Sequence, residues 1–133
     1  GCFDILHIGH IEYLKFSRQQ GDVLVIGLNT DRSVREQKGD KRPFVSEDER
    51  ARLISALEDV SYVVLFDELT PEDLIRRIKP DVLIKGEDWK EKGVVGREFV
   101  ESYGGKVILA PFVNNVSTTD IVTRILERNS NPR

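Results

Sequence analysis

Gly1-Cys2-Phe3-Asp4-Ile5-Leu6-His7-Ile8-Gly9-His10 opens the chain, and an amphipathic run follows at once. A ligand-type loop that turns straight into a helix is characteristic of α/β proteins, where it follows the carboxyl end of a strand. A strand is therefore expected just before Gly1, outside this sequence. The loop's chemistry suits a phosphate chain. Glycine lets backbone approach a ligand that a Cβ would push away. A helix starting near His10 points N–H groups and a positive dipole end at an anion. Two imidazoles beside it can donate hydrogen bonds to phosphate oxygens. A turn carrying two surface or core histidines is the plainer reading of any single His-x-Gly-His. Here His7 and His10 are the chain's only histidines, and both follow a Gly-x-Phe-Asp lead-in.

Outward from this loop, helix and strand patterns alternate. A first helix is expected from about Ile8 to Gln20, with Ile11 and Leu14 on its inner stripe and Gly21-Asp22 ending it. Val23 to Leu28 is a continuous apolar run, as a strand buried on both faces requires. Asn29-Thr30-Asp31 ends it. Residues 35–43 are polar, basic and glycine-bearing, so a mobile loop is expected. Ser46-Glu47-Asp48-Glu49 is a capping box opening a helix with Leu53, Ile54 and Leu57 at helical spacing. Tyr62 to Phe66 reads as a strand. Thr70 as cap and Pro71 at the first helical position start the next helix, which ends before Pro80. Asp81 to Lys85 is a strand, and a helix is expected from about Val95 to Tyr103. Lys106 to Leu109 is the last strand, and Ser117 caps a final helix ending near Arg128. Such alternation implies βαβ crossovers, a mainly parallel sheet and ligands beyond the strands' carboxyl ends. Residues 1–10, 29–31, 85–89 and 114–119 fall at such ends.

The totals agree. The chain's 133 residues, 39% hydrophobic and 32% charged, suit one domain with a single core. A net charge of −3 argues against nucleic acid as a partner. The lone Cys2 allows no intrachain disulfide, which fits a reducing, cytoplasmic setting. No apolar run approaches the roughly 18 residues of a spanning helix, so no membrane partner is expected. No signal-peptide pattern is present.

Four groups supply candidate chemistry. His7 and His10 come first. Ser117-Thr118-Thr119 at a helix start could meet phosphate oxygens or simply cap the helix. Lys38, Lys41 and Arg42 could close over a polyphosphate or form a solvated basic loop. In Lys85-Gly86-Glu87-Asp88-Trp89, Lys85 could meet a second phosphate and Asp88 a sugar hydroxyl, an adenosine group or a metal. A turn with a surface Trp89 is the alternative. Asp4 could be a ligand group or a turn residue satisfying backbone. Cys2 reads most simply as a small buried residue. No nucleophile arrangement and no Cys/His metal cluster stands out. The pattern suits orienting and neutralising phosphates, which is what direct nucleotidyl transfer demands.

Gly1-x-Phe3-Asp4-x-x-His7-x-Gly9-His10 together with Ser117-Thr118-Thr119 resembles the cytidylyltransferase-like nucleotidyltransferases, over essentially the whole chain. The segments 38–43, 80–88 and 95–119 make it most similar to the heptose 1-phosphate adenylyltransferases, whether fused behind a kinase or stand-alone. The resemblance implies a three-layer, Rossmann-like (HUP-type) fold with a mainly parallel sheet. It implies transfer of AMP from ATP to D-glycero-β-D-manno-heptose 1-phosphate with Mg²⁺, giving ADP-heptose and pyrophosphate in lipopolysaccharide precursor synthesis. It makes His7, His10 and Lys38 the catalytic groups. Cys2, Phe3, Gly9, Asp88, Ser117 and Thr118 would join the histidines around the nucleotide. Asp4, Lys85 and Trp89 would face the acceptor, and no protein metal site is expected. The chain departs from the pattern in places. Phe112-Val113 stands where the glycerol-phosphate cytidylyltransferases carry Arg-Thr, which favours ATP over CTP. Gly86-Glu87-Asp88 replaces Gly-Gly-Asp, and Asn115 replaces a frequent glycine, so the sugar stays open. FAD synthases of the archaeal type share the lead-in, and a nucleotide-binding module without transfer is the non-enzymatic alternative. Assembly is open too, with a homodimer among the candidate states.

Overall fold

The computed structural model describes residues 1–86, 93–111 and 117–130. In chain order these form α1 (Ile8–Arg18), β1 (Val25–Asn29), α2 (Asp31–Lys38), α3 (Glu47–Ser55) and β2 (Tyr62–Phe66). Then come α4 (Glu72–Ile78), β3 (Val82–Gly86), α5 (Arg97–Ser102), β4 (Lys106–Ala110) and α6 (Thr118–Ser130). The expected α/β alternation is present. β1 pairs with β2 and β3 with β4, both parallel, Val25 opposite Tyr62 and Val82 opposite Lys106.

The described sheet is in two pieces, β1–β2 and β3–β4. Gly1 touches the free side of the first. Its nitrogen donates to the Gly27 carbonyl at 2.7 Å, and its carbonyl accepts from Asn29 N–H at 3.0 Å. That is the parallel-ladder pattern, with Gly1 opposite Leu28. The Leu24 carbonyl and Thr30 N–H serve the β2 side, so Gly1 lies on β1's other edge.

The core gathers Phe3, Leu14, Ile26, Leu28 and Ile54, with Leu6, Leu24, Ala51, Leu57, Val60 and Val63 packed around them. Each fully buried aliphatic side chain contributes about 1.5–3 kcal/mol. Leu14, Leu28 and Ile54 thus hold α1, β1 and α3 together.

The main correction concerns 35–43. Arg35 to Lys38 are helical, not loop. Thr30 accepts from Ser33 N–H and caps α2, Asp31 sits in its first turn, and Val34 is fully buried. Gly39, at φ 98, closes it with its N–H on the Arg35 carbonyl. A cap, one anchor and a glycine stop outweigh a polar composition. A tight turn of 39–42 remains, with Arg42 N–H on the Gly39 carbonyl. Smaller shifts occur elsewhere. α4 starts at Glu72 with Pro71 one place outside it and no side-chain cap from Thr70. α5 is shorter than expected because Gly96 takes a left-handed φ of 89, and α6 runs to Ser130.

Candidate functional site

A cleft of about 590 Å³ opens between the two strand pairs. Among the described residues, Cys2, Phe3, His7, Gly9, His10, Lys38 and Lys85 line it. Seven of the residues expected from sequence therefore meet on one surface.

Local backbone sets the histidines. Phe3 adopts a left-handed conformation, φ 48, which costs a non-glycine residue about 1–3 kcal/mol. Two interactions offset it. The Phe3 ring is buried against His10, centroids 5.0 Å apart. The neighbouring Asp4 carboxylate, 4% exposed, accepts from Phe44 N–H (2.8 and 3.0 Å) and Val45 N–H (2.9 Å). His7 then serves as the extended N-cap of α1, with no side-chain capping bond. The helix therefore begins at the cleft and turns its positive end toward it.

The His7 and His10 rings stack, centroids 3.8 Å apart and 21° from parallel. Their Nδ1 atoms are buried and have no hydrogen-bond partner among the described residues. Burial, then the nearby His7 and Lys38, lowers His10 to about 4. Burial also lowers His7, against an opposing pull from Asp120. Both rings are neutral at pH 7, and each can still donate one N–H. An unmatched buried polar atom costs about 1–3 kcal/mol, a cost carried at both rings.

Lys38 is the last residue of α2, exposed on the cleft wall, and Lys85 lies half-buried in β3 opposite. Lys41 and Arg42 do not line the cleft, and Arg42 lies over the Phe44 ring at 4.7 Å. Ser117 and Thr118 do not line the cleft, although Thr118 touches the histidine loop. Ser117 Oγ accepts from Asp120 N–H, and Thr118 Oγ1 donates to the Ile5 carbonyl at 3.4 Å. Asp4 departs from the acceptor role. Its carboxylate is turned to the 44–45 backbone, and it does not line the cleft. Asp88, Trp89 and the Phe112-Val113 pair lie outside the described residues. No group of three or more His, Cys, Asp or Glu that could hold a metal is gathered among the described residues. Nor is any helix there long and apolar enough to cross a membrane.

Sequence reading missed Arg50. Its guanidinium is fully buried. It donates to the Cys2 and Asn29 carbonyls (2.8 Å each), to the Val45 carbonyl (2.9 Å) and to Asp31 Oδ1 (2.7 Å). The available signal was spacing, because Arg50, Ile54 and Leu57 share one face at i, i+4, i+7.

The cytidylyltransferase-like family model matches residues 1–124. The chain is 55% identical over 128 residues to the bifunctional protein HldE of Trichlorobacter lovleyi, covering 96% of this chain and 26% of that protein. It is 54% identical to HldE of Campylobacter fetus, covering 94% and 26%. The chain thus spans about a quarter of the length of these curated relatives. A solved structure, the lipopolysaccharide core biosynthesis protein of Thermoplasma volcanium, superposes with a TM-score of 0.67 at 32% identity. That match covers 87% of this chain and 93% of the other. With the histidine loop, the parallel strands and this match over nearly its whole length, the chain belongs to the cytidylyltransferase-like family.

Proposed function

We propose that the chain is an adenylyltransferase, moving AMP from ATP to a sugar 1-phosphate of the D-glycero-β-D-manno-heptose type. The carrying observation is the stacked, neutral His7–His10 pair at the start of α1, with unpartnered Nδ1 atoms, on a cleft that also carries Lys38 and Lys85. An oxygen of the acceptor phosphate attacks the α-phosphorus of ATP. The bond from that phosphorus to the α–β bridging oxygen breaks, and pyrophosphate leaves with the electron pair. No proton need be taken from an ionised acceptor phosphate, so a general base is not required. The protein's part is to align three phosphates and stabilise the charge that develops on them. His7 and His10 donate to phosphate oxygens, and Lys38 and Lys85 neutralise from opposite walls. Thr118, tied to the loop through Ile5, and the neighbouring Ser117 add hydroxyls that can extend the phosphate surface. Mg²⁺ would enter on the triphosphate, whose oxygens and waters supply the ligands it prefers.

The nucleotide is ATP. Phe112 and Val113 offer no side-chain donor to a pyrimidine edge, and a buried edge without a partner is rejected by about 1–3 kcal/mol. The gap between β1 and β3 supports a further proposal, a strand preceding Gly1 that continues the ladder already begun opposite Leu28. That strand would floor the cleft. The test is pyrophosphate release from ATP, and from CTP, with heptose 1-phosphate, glycerol 3-phosphate and FMN as acceptors. ATP with the sugar phosphate is expected to dominate. Dominance of CTP, or of FMN as acceptor, would redirect the assignment to another branch of the family.

A further inference from the structure

We propose that Arg50 is a positioning residue. One buried guanidinium clasps both ends of the 31–45 segment and fastens them to the histidine loop, which sets Lys38 on the cleft wall.

The geometry of that clasp is specific. At the segment's start, Arg50 holds the Asn29 carbonyl and Asp31 Oδ1, where β1 passes into α2. At the segment's end, Arg50 Nε holds the Val45 carbonyl. Between those ends lie α2 and the 39–42 turn, with Lys38 facing the cleft. The third tie runs to the Cys2 carbonyl, one residue before the left-handed Phe3. Asp4 closes the ring from the other side, since its carboxylate holds the N–H of the same Val45. Val45 is thus gripped by Asp4 through its N–H and by Arg50 through its carbonyl.

A planar fork with several fixed donors can serve four oxygens on separate strands of chain. An ammonium on a flexible stem cannot reproduce that set. Four charge-assisted bonds at a fully buried site also exceed what holding α3 alone would need. The bonds converge on the histidine loop, which leads to His7 and His10, and on both ends of the segment that carries Lys38. Arg50 does not itself line the cleft, so it acts through other groups.

The proposal rests on the adenylyl-transfer reading for its kinetic arm only. In Arg50→Lys, hydrogen exchange without nucleotide is expected to quicken over 31–45 and stay unchanged in β2 and β4. Its kcat for pyrophosphate release should fall 10-fold or more. In a Lys38→Ala background, the same substitution should cost less than about 3-fold, because the cation it misplaces is already gone. A uniform loss of folded enzyme would give the same factor in both backgrounds. Equal factors, an unchanged kcat, or faster exchange throughout the molecule would overturn the proposal. If Arg50→Lys does not fold, Asp31→Asn takes its place, since Asp31 is partly exposed. It should lower kcat about 3-fold or more, and only when Lys38 is present. A loss of the same size without Lys38, or no loss, would overturn the clasp. If wild-type protein transfers no nucleotide at all, the functional reading fails while the exchange measurement still decides the clasp.

Discussion

At the scale of single residues, the site is a matter of two imidazoles kept neutral. Removing a donor to transition-state charge typically costs ~3 kcal/mol, on the order of 100-fold in rate. His10→Ala should therefore lose about that in kcat while the protein stays folded at the assay temperature, as steady-state kinetics beside a melt would show. The depressed His10 value also fixes a pH dependence. In the free protein His10 titrates about 4, whereas an unfolded histidine titrates near 6.5. The unfolded chain thus binds the proton first. The stability tied to the neutral ring is complete above pH 6.5 and is lost as pH falls toward 4. Bound phosphate opposes that shift, because its negative charge favours the charged ring. ATP should bind more tightly at pH 5.5 than at pH 7.5, with proton uptake. Calorimetry in buffers of different ionisation enthalpy measures this, and affinity that weakens on acidification would contradict it.

At the scale of elements, legibility followed local pattern. The strands expected at 23–28 and Tyr62–Phe66 announced themselves through apolar runs, the first starting two residues later, at Val25–Asn29, with Val23 exposed, and the Ser46 cap of α3 was legible as a capping box. α2 did not, because Asp31–Lys38 carries a single apolar residue, Val34. Its helix is held by Thr30, Gly39 and tertiary ties that periodicity cannot register. The role of Arg50 was hard to read for a related reason. An arginine reads as surface until its four partners, from distant segments, are known. The histidine loop was legible because its chemistry is local, whereas Asp4's bond to 44–45 spans forty residues of sequence. These differences reshape the expectation for Lys38. The residue rides on a helix end, so only 39–43 is free to tighten over a ligand. Charge-assisted bonds to phosphate contribute about 1.5–3 kcal/mol each. Lys38→Ala should lower kcat/KM by roughly 10-fold or more while shifting the melting temperature little. Exchange over 39–43 should slow on adding ATP and Mg²⁺, with α2 already protected beforehand. A helix as quick to exchange as the turn would show that the two move as one loop.

At the scale of the whole molecule, a split parallel sheet places its two halves on either side of one cleft. Each half contributes a cation, Lys38 from the β1–β2 side and Lys85 from the β3–β4 side. The histidine loop, bonded to β1 through Gly1 and to the start of α6 through Ile5, lies between them. Adding a strand ahead of Gly1 should join the halves. The extended chain is expected to melt higher and to bind ATP more tightly, as scanning and titration calorimetry would report. Transfer itself is the claim that everything else serves. Its most direct test follows the label of α-³²P-ATP incubated with heptose 1-phosphate and Mg²⁺. The label should pass into a nucleotide sugar, one pyrophosphate appearing per label moved, and His10→Ala should move about a hundredth as much in the same time. Label that stays in ATP for wild-type protein, or that moves equally fast in His10→Ala, would contradict the account.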